Sequence, residues 1–203
     1  MLFSAACERN KEVILRVLEG WLPRGAQLLE IGSGSGQHAV HCCSRMPALH
    51  WQCSEPGPLL AELEDRLDQE GRPRLAPGAA LPPAIRLDVS DAASWPQDPV
   101  DAVFTANTVH IMPSDHWPML CALAAALLRE GGALVVYGPF LEEETDTAPS
   151  NLAFDASLRQ RDPAMGLRQL SWVTREAARC GLVLSARMPV PSNNLMLQFR
   201  LQR

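Results

Sequence analysis

Apolar residues along this chain follow two spacings. Short runs rich in apolar residues lie at 27–31, 51–54, 84–87, 101–106 and 133–137 and read as buried strands. Between them, apolar positions recur every three or four residues. Val13, Ile14, Val17 and Leu18 form one such stripe ahead of Gly20 and Pro23, and residues 37–45 form a second. Leu59, Leu60, Leu63 and Leu67 form a third, and residues 116–128 a fourth, closed by Gly131-Gly132. Residues 72–83, rich in Pro, Gly and Ala, read as loop. Strands alternating with helices over short connections imply a parallel sheet with helices on both faces. The C-terminal part departs from that rhythm: a helix at 171–180 stops at Gly181, then strands at 182–187 and 195–201 flank a turn-rich stretch, 189–194. So short a connection favours an antiparallel hairpin.

One segment exceeds a usual connection. Residues 140–170 hold an acidic run (Glu142, Glu143, Glu144), a turn at Pro149-Ser150-Asn151, a short helical pattern and then Arg161-Asp162-Pro163. Ser150 or Asn151 would cap that helix. The segment reads as a lid or substrate wall.

Composition narrows the classes. At 203 residues, 47% of them hydrophobic, residues 1–203 suit one α/β domain with this lid as an insertion at about 140–170. No apolar run approaches the roughly 20 residues of a membrane span, and the first residues lack the order of a signal peptide. The six cysteines, at 7, 42, 43, 53, 121 and 180, include no C-x-x-C pair and read as reduced thiols of a cytoplasmic protein. A net charge of -5 argues against a nucleic-acid partner. Arg159, Arg161 and Arg168 gather locally, which leaves room for a small acidic substrate.

The densest chemistry lies at Glu30-Ile31-Gly32-Ser33-Gly34-Ser35-Gly36-Gln37, where a strand runs into a glycine-spaced turn and then a helix. Glycines there let the backbone take conformations closed to other residues and let a ligand approach. The turn amides and the helix N-terminus suit a ligand rich in negative charge or acceptors. Gln37 stands where the dinucleotide fingerprint needs a third glycine, which argues against NAD or FAD and a dehydrogenase. Glu30 suits a cationic amino-acid end, and S-adenosylmethionine has one together with an adenosine. The bland alternative is a tight turn with no ligand.

The spacing E-x-G-x-G-x-G resembles motif I of the class I methyltransferases. That resemblance implies a Rossmann-like, seven-strand, mostly parallel α/β sheet with helices on both faces and an antiparallel C-terminal hairpin. It implies S-adenosylmethionine as cofactor and S-adenosylhomocysteine as product, while the acidic charge, the lack of a nucleic-acid module and the compact lid favour a small-molecule acceptor. Ligands of such sheets bind at the carboxyl ends of the strands. The cofactor residues it suggests are Glu30, Gly32, Ser33, Gly34, Gly36, His38, Glu55, Pro56, Asp88, Val89 and Asn107. Glu55 would accept the ribose hydroxyls, and Asp88-Val89 would meet the adenine. Turn initiation or helix capping is the alternative for both acids.

Nearly the whole chain also resembles a narrower family of methyltransferase-like proteins in bacteria and animals, carried as a domain of unknown function. The shared segments are Glu8-Arg9-Asn10-Lys11-Glu12, Gly36-Gln37-His38-Ala39-Val40, Ala106-Asn107-Thr108-Val109-His110-Ile111 and Tyr137-Gly138-Pro139-Phe140. Further on come Ser150-Asn151, Phe154-Asp155, Ser157-Leu158-Arg159, Arg161-Asp162-Pro163 and Asn193-Asn194-Leu195, with Met165 standing where the family usually has Trp. By this resemblance Arg9 and Asn10, ahead of the first helix, sit near the methionine carboxylate, although Asn10 also suits a helix N-cap. His110 is the candidate general base, or else a packing histidine. Tyr137 would orient the acceptor, or else be a core aromatic with a wet tip. Asn151, Asp155, Arg159 and Arg161 are the substrate candidates, although Asp155 and Arg159 have the spacing of a helix-surface ion pair. His38 and His41 have a spacing metals can use, but no third ligand lies nearby, and no metal is expected. A non-catalytic cofactor-binding regulator is the alternative function.

Overall fold

The computed structural model describes residues 2–143 and 146–202, so Glu144, the end of the acidic run, lies outside the described residues. In chain order the elements are α1 (Ala5–Trp21), β1 (Gln27–Ile31), α2 (Gln37–Cys43), β2 (His50–Glu55) and α3 (Leu60–Arg66). β3 (Ile85–Arg86), β4 (Val100–Ala106), α4 (His116–Leu127) and β5 (Leu128–Gly138) follow. α5 (Pro149–Arg161), α6 (Leu170–Arg179), β6 (Leu182–Val190) and β7 (Asn194–Leu201) complete the chain. The seven strands form one sheet in the order β3-β2-β1-β4-β5-β7-β6. β1 to β5 pair in parallel, and β7 runs antiparallel to both β5 and β6. The expected Rossmann-like α/β sheet and its C-terminal hairpin are both present.

Side chains alternate between the faces of a strand, and each face of this sheet carries its own core. Leu28, Trp51, Phe104 and Val135 pack with Ile14 and Leu18 of α1 and with α2 and α3. Leu29, Ile31, Val103, Leu134 and Val136 pack against Trp117 and Leu120 of α4 and Val173 of α6. All six cysteines are free thiols, and Cys42, Cys43, Cys53 and Cys121 are buried. Among the described residues, no helix is long and apolar enough to cross a membrane.

Several boundaries differ from the sequence reading. α1 starts at Ala5, so Arg9 and Asn10 lie inside the helix rather than ahead of it. Ser4 is the N-cap: its side chain accepts from the Cys7 amide at 3.2 Å, which leaves Asn10 free to point inward. α5 is capped by neither Ser150 nor Asn151. Ala148 occupies the cap position and Pro149 the first turn, where a missing N–H costs nothing. β3 is only two residues long. Gly131-Gly132 does not close α4. The pair lies inside β5, at an irregularity of the β4–β5 ladder where Gly131 takes φ 75°.

Candidate functional site

The strand order reverses between β1 and β4, so the connections leaving their carboxyl ends diverge and open a crevice. The first connection is the glycine turn. Gly32, Gly34 and Gly36 have φ of 70°, 53° and 71°. A Cβ on Gly32 would stand 3.2 Å from Thr108 Oγ1, and one on Gly36 would stand 2.7 Å from Leu63 Cδ1. At Gly34 a Cβ would meet nothing within 4 Å. Two of these glycines permit close packing, and the middle one faces open space. Ser33 pins the turn to β2, donating through its amide to Ser54 O at 2.9 Å and accepting from Ser54 N at 3.1 Å.

β2 delivers Glu55 beneath this turn. Its Oε1 accepts from the Gly34 amide, and its Oε2 has no partner among the described residues. Burial pushes the Glu55 carboxyl pKa up, and the Gly34 hydrogen bond opposes that rise. β4 is followed by Asn107, whose φ of 57° is a left-handed conformation that Asn tolerates better than most residues. Its amide donates to Tyr137 O at 2.9 Å, while no hydrogen bond occupies its side chain among the described residues.

Two cavities result. The first, about 710 Å³, is bounded by Gly32, Ser33, Gly34, Ser35, Glu55, Pro56, Asn107, Thr108 and His110, with Ser4, Cys7 and His38 from the α1–α2 side. The second, about 670 Å³, is lined by Arg9, Asn10, Tyr137, Pro139, Ser150, Asn151 and the β6–β7 turn. Ala6, Asn107 and Phe154 line both. Volumes of this size fall within the roughly 300–1,000 Å³ of small-molecule sites.

Glu30 does not reach either cavity. By strand alternation it projects to the α1–α2 face, almost fully buried, and accepts from Trp51 Nε1 at 2.9 Å. His38 Nδ1 lies 3.7 Å from Glu30 Oε1, and His38 Nε2 lies 2.8 Å from Asn10 Oδ1. Burial alone would lower the His38 pKa, but hydrogen bonding to Cys7 and Glu30 overrides it and raises it to about 9. His38 is therefore an imidazolium at neutral pH, with its charge at the cavity wall. Burial pushes the Cys7 thiol pKa up, but the hydrogen bond and positive charge of His38 outweigh it, and the net shift is downward. His41, by contrast, turns to Glu12 at 3.0 Å and Arg45 at 2.7 Å, so the two histidines do not converge on one point.

Asp88 and Val89 are not brought to the cavities either. Asp88 accepts from both the amide and the hydroxyl of Ser90, a local turn that holds its carboxyl pKa down. Val89 is packed into the core with α4. The substrate candidates divide. Asn151 lines the second cavity and donates to Asn193 O at 3.0 Å, and Arg161 lines the first. Asp155 and Arg159 pair with each other at 2.9 Å, and Asp155 also accepts from the Leu167 amide at 2.6 Å, which makes them a structural brace off the cavities.

His110 faces the first cavity, with its ring edge-on to Phe154 at 5.3 Å and its carbonyl accepting from Gly166 N at 2.9 Å. Burial, followed by the charge of Arg168, lowers its pKa to about 4. No carboxylate pairs with the His110 ring among the described residues. Tyr137 is buried in the wall of the second cavity. Burial raises its pKa, while the amide of Asn10 and the charge of Arg9 act in the other direction.

A family model described as a protein of unknown function, DUF938, matches residues 1–201. The chain belongs to that family. The segments by which the sequence resembles such proteins supply much of both cavity walls: Arg9, Asn10, His38, Asn107, His110, Tyr137, Asn151 and Phe154 among them. Solved structures share the fold of this DUF938 member. An O-methyltransferase family protein from Burkholderia thailandensis superposes with a TM-score of 0.77 at 15% identity, over 96% of this chain and 57% of that one. A mitomycin 7-O-methyltransferase gives 0.77 at 18% identity, over 98% and 56%. A methyltransferase of calicheamicin biosynthesis, in its S-adenosylhomocysteine-bound form, gives 0.78 at 12% identity, over 97% and 54%. The chain thus spans a little over half the length of these proteins.

Some wall residues were not singled out from the sequence. Cys7 lies three residues before Asn10, on the same face of α1, a relation readable once the helix is known to start at Ala5. Phe3 and Leu2 carry no sequence signal, and Ser4 carries only that of a helix N-cap. The start of the chain is held over the cavity because Gln37 Oε1 accepts from Ser4 N at 2.7 Å and Arg66 donates to Leu2 O at 2.6 Å.

Proposed function

We propose that this protein is an S-adenosylmethionine-dependent methyltransferase with a small-molecule acceptor. One observation carries the reading: Glu55 and the Gly32–Gly36 turn share a cavity at the sheet's reversal point, and Glu55 Oε2 has no partner there among the described residues. The methyltransferases of the same fold, one of them in an S-adenosylhomocysteine-bound form, support it.

The wall fits that cofactor. Glu55 Oε2 would accept from the ribose hydroxyls. The amides of Ser33, Gly34 and Gly36 already donate to Ser54 O, Glu55 Oε1 and Ser33 O, so the methionine carboxylate would be drawn by the charge of the His38 imidazolium, which Cys7 and Glu30 maintain. The bound cofactor supplies a methyl carbon already activated by its sulfonium, so the chain's contribution is alignment and exclusion of water. Asn107, common to both cavities, marks where the acceptor meets the cofactor. Residues 140–170 act as the lid, and α5 is tied to the β6–β7 turn through Asn151. His110, neutral and without an acid behind it, serves as a wall and hydrogen-bond acceptor at the junction. A group with a pKa of about 4 is a poor base near neutrality.

Calorimetry with S-adenosylmethionine and S-adenosylhomocysteine tests this reading. Micromolar binding is expected for the wild type. Glu55→Ala should weaken it by about ten- to a hundredfold, the scale of lost hydrogen bonds to a charged group. Gly34→Val should abolish it by filling the space that Gly34 leaves open. No binding by folded wild-type protein overturns the proposal.

A further inference from the structure

The second cavity has an uneven polar lining. It holds the Arg9 guanidinium, the Tyr137 hydroxyl and five carboxamides, and no carboxylate or lysine among its lining residues. Arg9 forms no ion pair among the described residues, and its charge acts on Tyr137. Burial keeps Tyr137 protonated, so it faces the cavity as a hydroxyl. Asn10 turns its oxygen to His38 at 2.8 Å and its amide to the Tyr137 hydroxyl. Asn107 bears a side chain with no hydrogen bond among the described residues, on a backbone with φ 57°. Strained backbone of this kind clusters where a site must be built.

The Asn151, Asn193 and Asn194 amides donate to protein oxygens, so Arg9, Tyr137 and Asn107 are the donors this lining offers a ligand, and it holds no ionised acceptor. A protonated amine would find no counter-ion in it, and an alcohol would find no group to take its proton. Of the two buried histidines near the junction, His38 has a carboxylate behind it but is already engaged with Asn10, and His110 has none. An anion needs neither a counter-acid nor a base, and the unpaired Arg9 offers it a charge-assisted hydrogen bond.

We propose that this cavity is the acceptor subsite and takes a small organic acid, whose carboxylate is held by Arg9, Tyr137 and Asn107 and is itself methylated to an ester. The inference rests on the methyltransferase reading above. The carboxylate oxygen forms the new O–CH3 bond while the carbon–sulfur bond of the sulfonium donor breaks. That bond's electron pair goes to sulfur, giving the neutral thioether, and no proton is transferred. A site without a general base is sufficient for this reaction.

The test uses full-length protein saturated with S-adenosylhomocysteine and follows thermal unfolding with benzoate, phenylacetate and octanoate, each against its own amide. S-adenosylhomocysteine should raise the Tm by itself, and at least one acid should raise it further where the matching amide does not. Arg9→Gln should weaken the acid's effect about tenfold or more while leaving the S-adenosylhomocysteine shift in place, and Arg9→Lys should restore part of it. The acid that binds is then incubated with methyl-labelled S-adenosylmethionine, and alkali should release the label from the product as methanol. Amides acting as well as acids, an effect that survives Arg9→Gln, no response to any acid, or alkali-stable label each overturns the organic-acid proposal and leaves the methyltransferase reading standing. Absence of the S-adenosylhomocysteine shift overturns both.

Discussion

Glu30 shows how a residue's neighbours decide its chemistry. Two positions before the first glycine, it invites assignment to a cofactor ammonium. Strand alternation instead turns it into the α1–α2 core, where Trp51 Nε1 at 2.9 Å and His38 at 3.7 Å receive its charge. The carboxylate acts through the histidine. NMR titration should place the His38 imidazole near 9 and show a lower value in Glu30→Gln. Because the folded pKa lies above the unfolded value of about 6.5, the linked stability is fully present below that value. It is lost as pH rises through about 9. His110 has the opposite sign: its folded pKa is lowered to about 4, so stability falls as pH drops from about 6.5 toward 4 and the unfolded chain takes up a proton. Denaturant midpoints measured across that range should slope down on both sides. His38→Asn should flatten the alkaline slope, and His110→Asn the acidic one.

The glycine turn is an element whose sequence announced it and whose glycines do different work. At Gly36 a Cβ would press on Leu63 of α3, whereas at Gly34 it would enter the first cavity. Alanine at either position carries the left-handed penalty of about 1–2 kcal/mol. Gly36→Ala adds overpacking of about 1–3 kcal/mol and should unfold at clearly lower denaturant. Gly34→Ala should stay the more stable of the two and lose cofactor affinity instead. Existence and order of the elements were legible from periodicity: each strand and helix read from the sequence is present, and the hairpin runs antiparallel. Ends were less legible. Ser4 outcompetes Asn10 as the cap of α1 because Asn10 gains a buried bond to His38, a contact between residues 28 apart in the chain. Likewise Gly131-Gly132, a plausible helix stop, falls inside β5, at the irregularity where the β4–β5 ladder passes from Leu128 to Ala133.

At the scale of the molecule, both cavities hang on the reversal of strand order between β1 and β4, which two separate cores hold in place. Binding there should therefore stabilise the whole sheet. S-adenosylhomocysteine at a hundred times its Kd should raise the unfolding free energy by about 2.7 kcal/mol, and Glu55→Ala should lose about half of that gain or more at the same concentration. Differential scanning calorimetry measures both. The sequence by itself determined the α/β alternation, the glycine turn, the acid at the end of β2 and Asn107 after β4, because each depends on local spacing or on a strand end that the topology must expose. Local spacing left open that Asp88 closes its own turn and that Asp155 pairs with Arg159, whereas tertiary structure alone decided that Glu30 and His38 form a buried pair. It also decided that Arg9 and Tyr137 face a shared cavity. Those outcomes depend on which face a side chain takes and on what a distant segment brings against it, and no spacing within one segment encodes either.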